Sequence, residues 1–299
     1  MSTTAATLLL NSRCRLGESI LWCSRRRVLY WTDIVGCMLW RHDPVSEDSQ
    51  ACLLVEPAGC LALSDDGRLL LGLANGLYAA DVDQLGITPT LQMQKLVDVE
   101  GGDPFTRIND GRADRNGGFV FGTKSLHADN RRAGRFYQYT ARHGLRELAL
   151  PAAAIPNSIC FDASGQRMYF CDSLDPRILS CHYDAANAAV SDIRVFVEID
   201  TPGTEPDGSI IDAEGALWNA QWGAGQVVRY LPDGRTDQVV TVPATQASCC
   251  IIADESLYIT TARSGLSPDA LALQPEAGGV FQHRLRAGLA RSEDRVVLP

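Results

Sequence analysis

Short apolar runs alternate with turns along the whole chain, two runs to a turn. Examples are LALSDDGRLLLGL (61–73), SIIDAEGALWNAQW (209–222) and CCIIADESLYITTA (249–262). The runs hold only a few residues and are rich in Val, Ile, Leu, Tyr and Trp, which predicts strands and not helices. A second hairpin follows the first in each unit. GRFYQYT is followed by LRELAL, RILSCHYD by RVFVEI, and QVVRYLPDG by DQVVTVP. Each unit is therefore expected to be a four-stranded antiparallel meander. Units fall near residues 16–56, 57–100, 101–150, 151–199, 200–243 and 244–290.

The units are repeats. ESILWCSRRRVLYWTD, from Glu18, aligns without a gap with NSICFDASGQRMYFCD, from Asn157. Further copies start at Asn109 (NDGRADRNGGFVFGT) and Asp207 (DGSIIDAEGALWNAQW). Gly117, Gly165 and Gly215 follow Asn109, Asn157 and Asp207 at the same interval, and Arg26 stands in the glycine's place after Glu18. An isolated four-stranded sheet cannot bury both of its faces, but sheets packed radially around an axis can. The expected fold is all-β, a six-bladed β-propeller of four-stranded antiparallel blades, formed as a single domain over residues 1–299. The terminal runs TLLLNSR and DRVVLP are left over. Either could supply the strand that closes the ring. The stretch 267–279 reads as a loop with room for one helical turn.

The first strand of each propeller blade lines the central channel. The repeat slot just before that strand's apolar run therefore lies near one mouth. Around the ring it reads Glu18, Gly59, Asn109, Asn157, Asp207 and then Ala247 or Ser248. Equivalent slots become equivalent places in space, so Glu18, Asn109, Asn157 and Asp207 are expected to converge on the axis. Two carboxylates and an amide oxygen facing one another in a dry site call for a divalent cation. An all-oxygen set suits Ca²⁺, Mg²⁺ or Mn²⁺, and Zn²⁺ and Fe²⁺ also accept it. Three protein ligands leave open positions, as a catalytic metal needs.

Composition narrows the partners. Hydrophobic residues make up 45% of the chain, and 36 acidic against 27 basic side chains give a net charge of -9. That balance disfavours nucleic acid and anionic membranes. The one basic run, Arg25 to Arg27, falls at a hairpin turn. No apolar stretch is long enough to span a membrane, and MSTTAATLLL lacks the basic start of a signal peptide. Ten scattered cysteines without a CxxC pair read as unpaired thiols in a reducing cytoplasm. Cys249 and Cys250, beside the sixth slot, read as packing residues. Neither a G-x-S-x-G nor an HExxH motif occurs. His42, His143, His182 and His283 fall in outer strands or turns and are expected at the surface. His127 alone is placed to reach the mouth. Tyr30 and Trp31, matched by Tyr169 and Phe170 in the repeat, are expected in the core.

Taken together, LGESILW with LYWTDI, RINDGRADRNGGFVFGT, IPNSICFDASG, EPDGSIIDAEGALWNAQWG and the late ITTARSGLS…GGVF resemble the senescence-marker protein (regucalcin) and gluconolactonase family of six-bladed propellers. The late segments look most like bacterial aldonolactonases of sugar oxidation. The resemblance implies hydrolysis of a sugar lactone with one divalent metal. It implies Glu18, Asn157 and Asp207 as metal ligands and Arg107 and Asn109 as the substrate-binding pair. On that reading the metal polarises the lactone carbonyl, a water attacks it, and Asp207 is the base that takes the water's proton. After GT the chain departs from the family with KSLHADNRRAG, so the loop 124–134 is expected to shape the substrate mouth. The main alternative is a non-catalytic propeller that binds calcium or a protein. The empty slots at Gly59 and near Ala247 speak against it, because a calcium binder wants six to eight oxygens. An aryl-ester or phosphotriester hydrolase would need a histidine at the metal, and His127 is the one candidate.

Overall fold

Six sheets follow one another along the chain, each an antiparallel meander. The computed structural model describes residues 2–86 and 90–299; residues 87–89, within the second expected unit, and residue 1 lie outside the described residues. The inner strands are Gly17–Cys23, Ala58–Ser64, Thr106–Ala113, Pro156–Phe161, Glu205–Ile211 and Ala247–Ala253. They open blades one to six, and the blade boundaries are those read from the repeat.

The N-terminal segment closes the ring. Thr7–Leu10 pairs antiparallel with Val280–Arg284 and becomes the outer strand of blade six. The preceding strand, Ser2–Ala5, runs parallel to Thr236–Thr241 on the rim of blade five. The first ten residues therefore bridge two blades. The C-terminal run has another role. Arg295–Val296 pairs parallel with Leu63–Ser64 on the inner edge of blade two, inside the channel. Leu289 O accepts from Ala213 N at 3.0 Å and Gly117 O accepts from Val297 N at 2.9 Å, so this strap crosses from blade five to blades two and three. These contacts lie at the far ends of the inner strands, and they plug the channel away from the slot.

Apolar side chains fill the wedges between blades. Ile20, Leu29 and Trp31 of blade one pack in one cluster with Cys250, Ile252 and Leu257 of blade six. Phe136 and Phe170 meet edge to face at 5.4 Å across blades three and four. Tyr30, Trp31, Tyr169 and Phe170 are all buried, as the repeat suggested. The one α-helix among the described residues, Pro268–Leu273, is capped by Ser267 Oγ accepting from Ala270 N. Arg25 to Arg27 are exposed in the first turn of blade one. His42 departs from its expected surface position. It is 2% exposed and its Nδ1 lies 2.8 Å from Ser49 Oγ, because Ser49 on the outer strand of blade one pairs directly opposite it.

Candidate functional site

Every inner strand breaks its ladder register at the slot. The breaks fall between Glu18 and Leu21, Ala58 and Cys60, Ile108 and Gly111, Asn157 and Cys160, Pro206 and Ser209, and Ala247 and Cys249. A bulge leaves its extra residue outside the ladder and re-aims the side chain. Ser19 and Ser158, which follow Glu18 and Asn157, take left-handed φ values of 53° and 60° to make the bend. The sixth slot resolves as Ser248, whose hydroxyl donates to Gly17 O at 2.5 Å. At Gly59 a Cβ would fall 2.3 Å from Ile108 O, so blade three's backbone leaves this slot no room for a side chain.

Asn109 and Asn157 are joined in one hydrogen-bonded chain that ends beside Asp207, and Glu18 acts on Asp207 through its charge. Asn109 Nδ2 donates to Asn157 Oδ1 at 3.3 Å and to Pro156 O at 3.0 Å. Arg107 Nη1 donates to Asn109 Oδ1 at 3.0 Å and to Ile108 O at 2.7 Å. Asn157 Nδ2 donates to Ser173 Oγ at 2.8 Å, and that hydroxyl donates to Pro206 O at 2.7 Å, beside Asp207. Asn157 is thus held at both ends of its amide, between Asn109 and Ser173. Asp207 is 5% exposed, and its Oδ1 has no hydrogen-bond partner.

Charge in this space is poorly compensated. Burial pushes the Glu18 carboxyl up to about 8, with the Asp110 charge adding to it. Burial likewise lifts Asp207 well above the carboxylate range, and Glu18, Asp110 and Glu205 raise it further. Burial brings Arg107 down to about 10 against the pull of Glu18.

Three features escaped the sequence reading. The first is the residue after the slot, which ties neighbouring blades. Ser19 Oγ accepts from Leu61 N at 2.9 Å, Asp110 Oδ2 accepts from Ile159 N at 2.8 Å, and Ser158 Oγ donates to Asp207 O at 2.7 Å. The repeat showed a serine there twice, and its offset of one from the slot was the available signal. The second is Glu205, two residues before Asp207 and facing the same space. The third is the place of Lys124, which heads the expected mouth loop 124–134 but lies on the strand Phe119–Ser125, across the ladder from Arg107. Burial and the neighbouring Arg107 lower its ammonium to about 8. Beyond it, His127 stacks on Phe105 with ring centroids 4.7 Å apart. Cys249 is buried against Gly208, where a Cβ would lie 2.6 Å from its Sγ. None of the ten cysteines is in a disulfide.

The residues fit a divalent cation. Among the described residues no three His, Cys, Asp or Glu side chains gather as ligands; the set here is two carboxylates and one amide. An orphaned buried carboxylate oxygen at Asp207, the half-buried Glu18 carboxyl and the Asn157 amide oxygen offer an all-oxygen donor set. Glu18 repels Asp207, Arg107 and Lys124 offset that charge only in part, and a cation between the carboxylates removes the remaining penalty.

The sequence from residue 16 to 263 matches the model of the SMP-30/Gluconolactonase/LRE-like region. The chain belongs to this family. It is 47% identical to L-arabinolactonase of Azospirillum brasilense over 289 residues, covering 95% of this chain and 94% of that one. It is 31% identical to 6-deoxy-6-sulfogluconolactonase of Pseudomonas putida, covering 90% and 91%. Among solved structures, a calcium-binding protein, regucalcin, from Agrobacterium tumefaciens superposes with a TM-score of 0.88 at 28% identity, over 99% of both chains. The six-bladed propeller of this family is the fold found here. No helix among the described residues is long and apolar enough to cross a membrane.

Proposed function

We propose that this protein hydrolyses a sugar lactone to its aldonic acid, a pentono- or hexonolactone opened by water with the help of one divalent metal. The observation that carries this is the clustering of the unpartnered Asp207 carboxylate, Glu18 and Asn157 beside the Arg107–Asn109 pair. Names of relatives support it: two act on sugar lactones, and one solved neighbour is called calcium-binding. We read the 299-residue ring as one domain acting on a small molecule in the cytoplasm.

Glu18, Asn157 and Asp207 would hold the cation, which supplies Lewis-acid polarisation of the lactone carbonyl when bound. Arg107 donates toward the substrate's oxygens, and its hydrogen bond to Asn109 sets the direction of both side chains. The guanidinium also lies where negative charge develops on the carbonyl oxygen, and stabilising that charge lowers the barrier. Asp207 holds the proton taken from the attacking water. Burial and the neighbouring carboxylates raise its proton affinity, which favours this role. The bond between the carbonyl carbon and the ring oxygen then breaks, the ring oxygen takes up the proton held by Asp207, and the opened hydroxy acid departs.

The test is lactone hydrolysis by metal-stripped protein, with Ca²⁺, Mg²⁺, Mn²⁺, Zn²⁺ and Fe²⁺ added back singly, on five- and six-membered pentono- and hexonolactones. We expect activity to return with at least one cation and to vanish in Glu18→Gln. In Asp207→Asn, kcat should fall by about 10²- to 10⁴-fold. Retained kcat with intact metal binding would remove the base role from Asp207. Tight Ca²⁺ binding without hydrolysis of any lactone would favour the non-catalytic calcium-binding reading.

A further inference from the structure

Only two of the 27 basic side chains are lysines, Lys95 and Lys124; the others are arginines. Lys95 lies on the outer strand of blade two and is paired with Asp98. Lys124 is the penultimate residue of Phe119–Ser125, directly opposite Arg107 on the neighbouring strand. Residues paired across a ladder present their side chains on the same face. Lys124 therefore shares the face of Arg107. The charges acting on its ammonium come from three blades: Arg107, Asp207 and Glu205, and Glu18. The side chain is half-buried and makes no hydrogen bond or ion pair with another described residue. Three N–H donors thus stand without acceptors over a site built from oxygen ligands.

The choice of lysine is informative in a chain that otherwise uses arginine. A guanidinium presents a rigid fork suited to planar carboxylates. An ammonium is a compact charge whose three donors rotate to meet single oxygens at varied angles. The hydroxyls of a sugar ring are such acceptors. We propose that Lys124 is a substrate-contacting residue whose ammonium donates hydrogen bonds to the hydroxyl oxygens of the bound lactone, and so selects polyhydroxylated lactones over unsubstituted ones. The inference rests on the lactonase reading. It adds to Arg107 and Asn109 a third recognition group, one that no slot or family motif supplies. Asp207, Glu205 and Glu18 face it without reaching it, so they help keep it charged without occupying its donors.

The experiment compares wild type, Lys124→Met and Lys124→Arg, each loaded with the activating cation. The substrates are a pentono-1,4-lactone and γ-butyrolactone, which has the same ring without hydroxyls. We expect Lys124→Met to lower kcat/KM on the hydroxylated lactone by about 10- to 100-fold, mostly through KM, as loss of a charge-assisted hydrogen bond predicts. γ-Butyrolactone should change by less than about twofold, because uniform binding to the hydroxyls is what has been lost. Lys124→Arg, which keeps the charge, should recover part of the loss and guards against misfolding in the methionine variant. A second readout is direct. Acylation of wild-type protein with an amine-directed ester, mapped by mass spectrometry, should show Lys124 protected by the pentonate product and Lys95 unaffected. Equal losses on both lactones, or an unchanged hydroxylated lactone, would overturn the proposal, as would pentonate-indifferent acylation of Lys124. If wild type opened no lactone with any cation, the lactonase reading would fall. The acylation arm would still decide whether Lys124 touches a sugar acid.

Discussion

At Glu18 and Asp207, burial and mutual repulsion act in the same direction, and both carboxyls bind protons more tightly folded than unfolded. For an acid raised in this way, the folded state holds more protons than the unfolded one between the two pKa values, so stability falls as pH rises. For Glu18 the window runs from its ordinary value of 4.5 to about 8. Buried His42 has its pKa lowered, chiefly by burial, and opposes this trend at the acidic end, so the informative quantity is a difference between variants. In metal-stripped protein, Glu18→Gln should gain thermal stability over wild type, and the gain should be larger at pH 8 than at pH 5. Thermal melts at both pH values with a chelator present measure this. A gain that shrinks toward pH 8 would mean that burial is not what governs Glu18. The slot residues themselves were legible in the sequence because a repeat preserves position. Glu205 was not, since it sits on a strand position that the repeat assigns no role, and Lys124 was legible only as the start of a loop, because its pairing opposite Arg107 is a cross-strand fact.

At the scale of the strand, the bulge in each inner strand converts a lattice position into a channel-facing one. It also brings adjacent inner strands close enough for the following residue to bond across. Where blades two and three meet, Gly59 lies against the carbonyls of Ile108 and Asn109, and a Cβ there would stand only 2.3 and 2.5 Å from their oxygens. Those atoms are backbone and cannot rotate away. Gly59→Ala should cost about 1–3 kcal/mol of overpacking strain, seen as a lower midpoint in urea denaturation. The displaced strand carries Asn109, so the variant should also lose activity beyond its loss of stability. An alanine variant with the wild-type midpoint would show that blade three yields easily. From the sequence, Gly59 was a slot that lacked a ligand. Its reason is the distance to a strand about 50 residues away, which the local pattern does not carry.

For the whole molecule, the two ends of the chain have separate tasks. The N-terminal strands bridge blades five and six, and the C-terminal strap fills the channel's far end. There Glu293 accepts from Arg112 Nη1 at 3.2 Å, with both side chains largely buried, and Asp294 pairs with Arg115. Burial of Arg112 lowers its pKa, and the Glu293 charge more than offsets this, leaving it raised. Glu293→Ala would leave a buried guanidinium without its carboxylate, and this should destabilise the fold by about 3–5 kcal/mol. Removing an exposed partner such as Asp192, which pairs with Arg194 at 2.9 Å, should cost about 0–1 kcal/mol. Chemical denaturation of both variants makes the comparison. Similar small losses would show that the strap is not part of the cooperative unit.

The blade count and the places of the slot residues on the inner strands were determined by the sequence alone, because each repeats at a fixed spacing and a repeat maps periodicity directly onto space. The core places of Trp31 and Phe170 followed in the same way. Which terminus closes the ring was decided only by tertiary structure, since both left-over runs are apolar and strand-like. Tertiary structure also decided the descent of the C-terminal strap into the channel, the resolution of the sixth slot at Ser248 and the meeting of Lys124 with charges from three blades. Each depends on contacts between residues far apart in the chain, where closing the circle, and not local preference, sets which groups face one another.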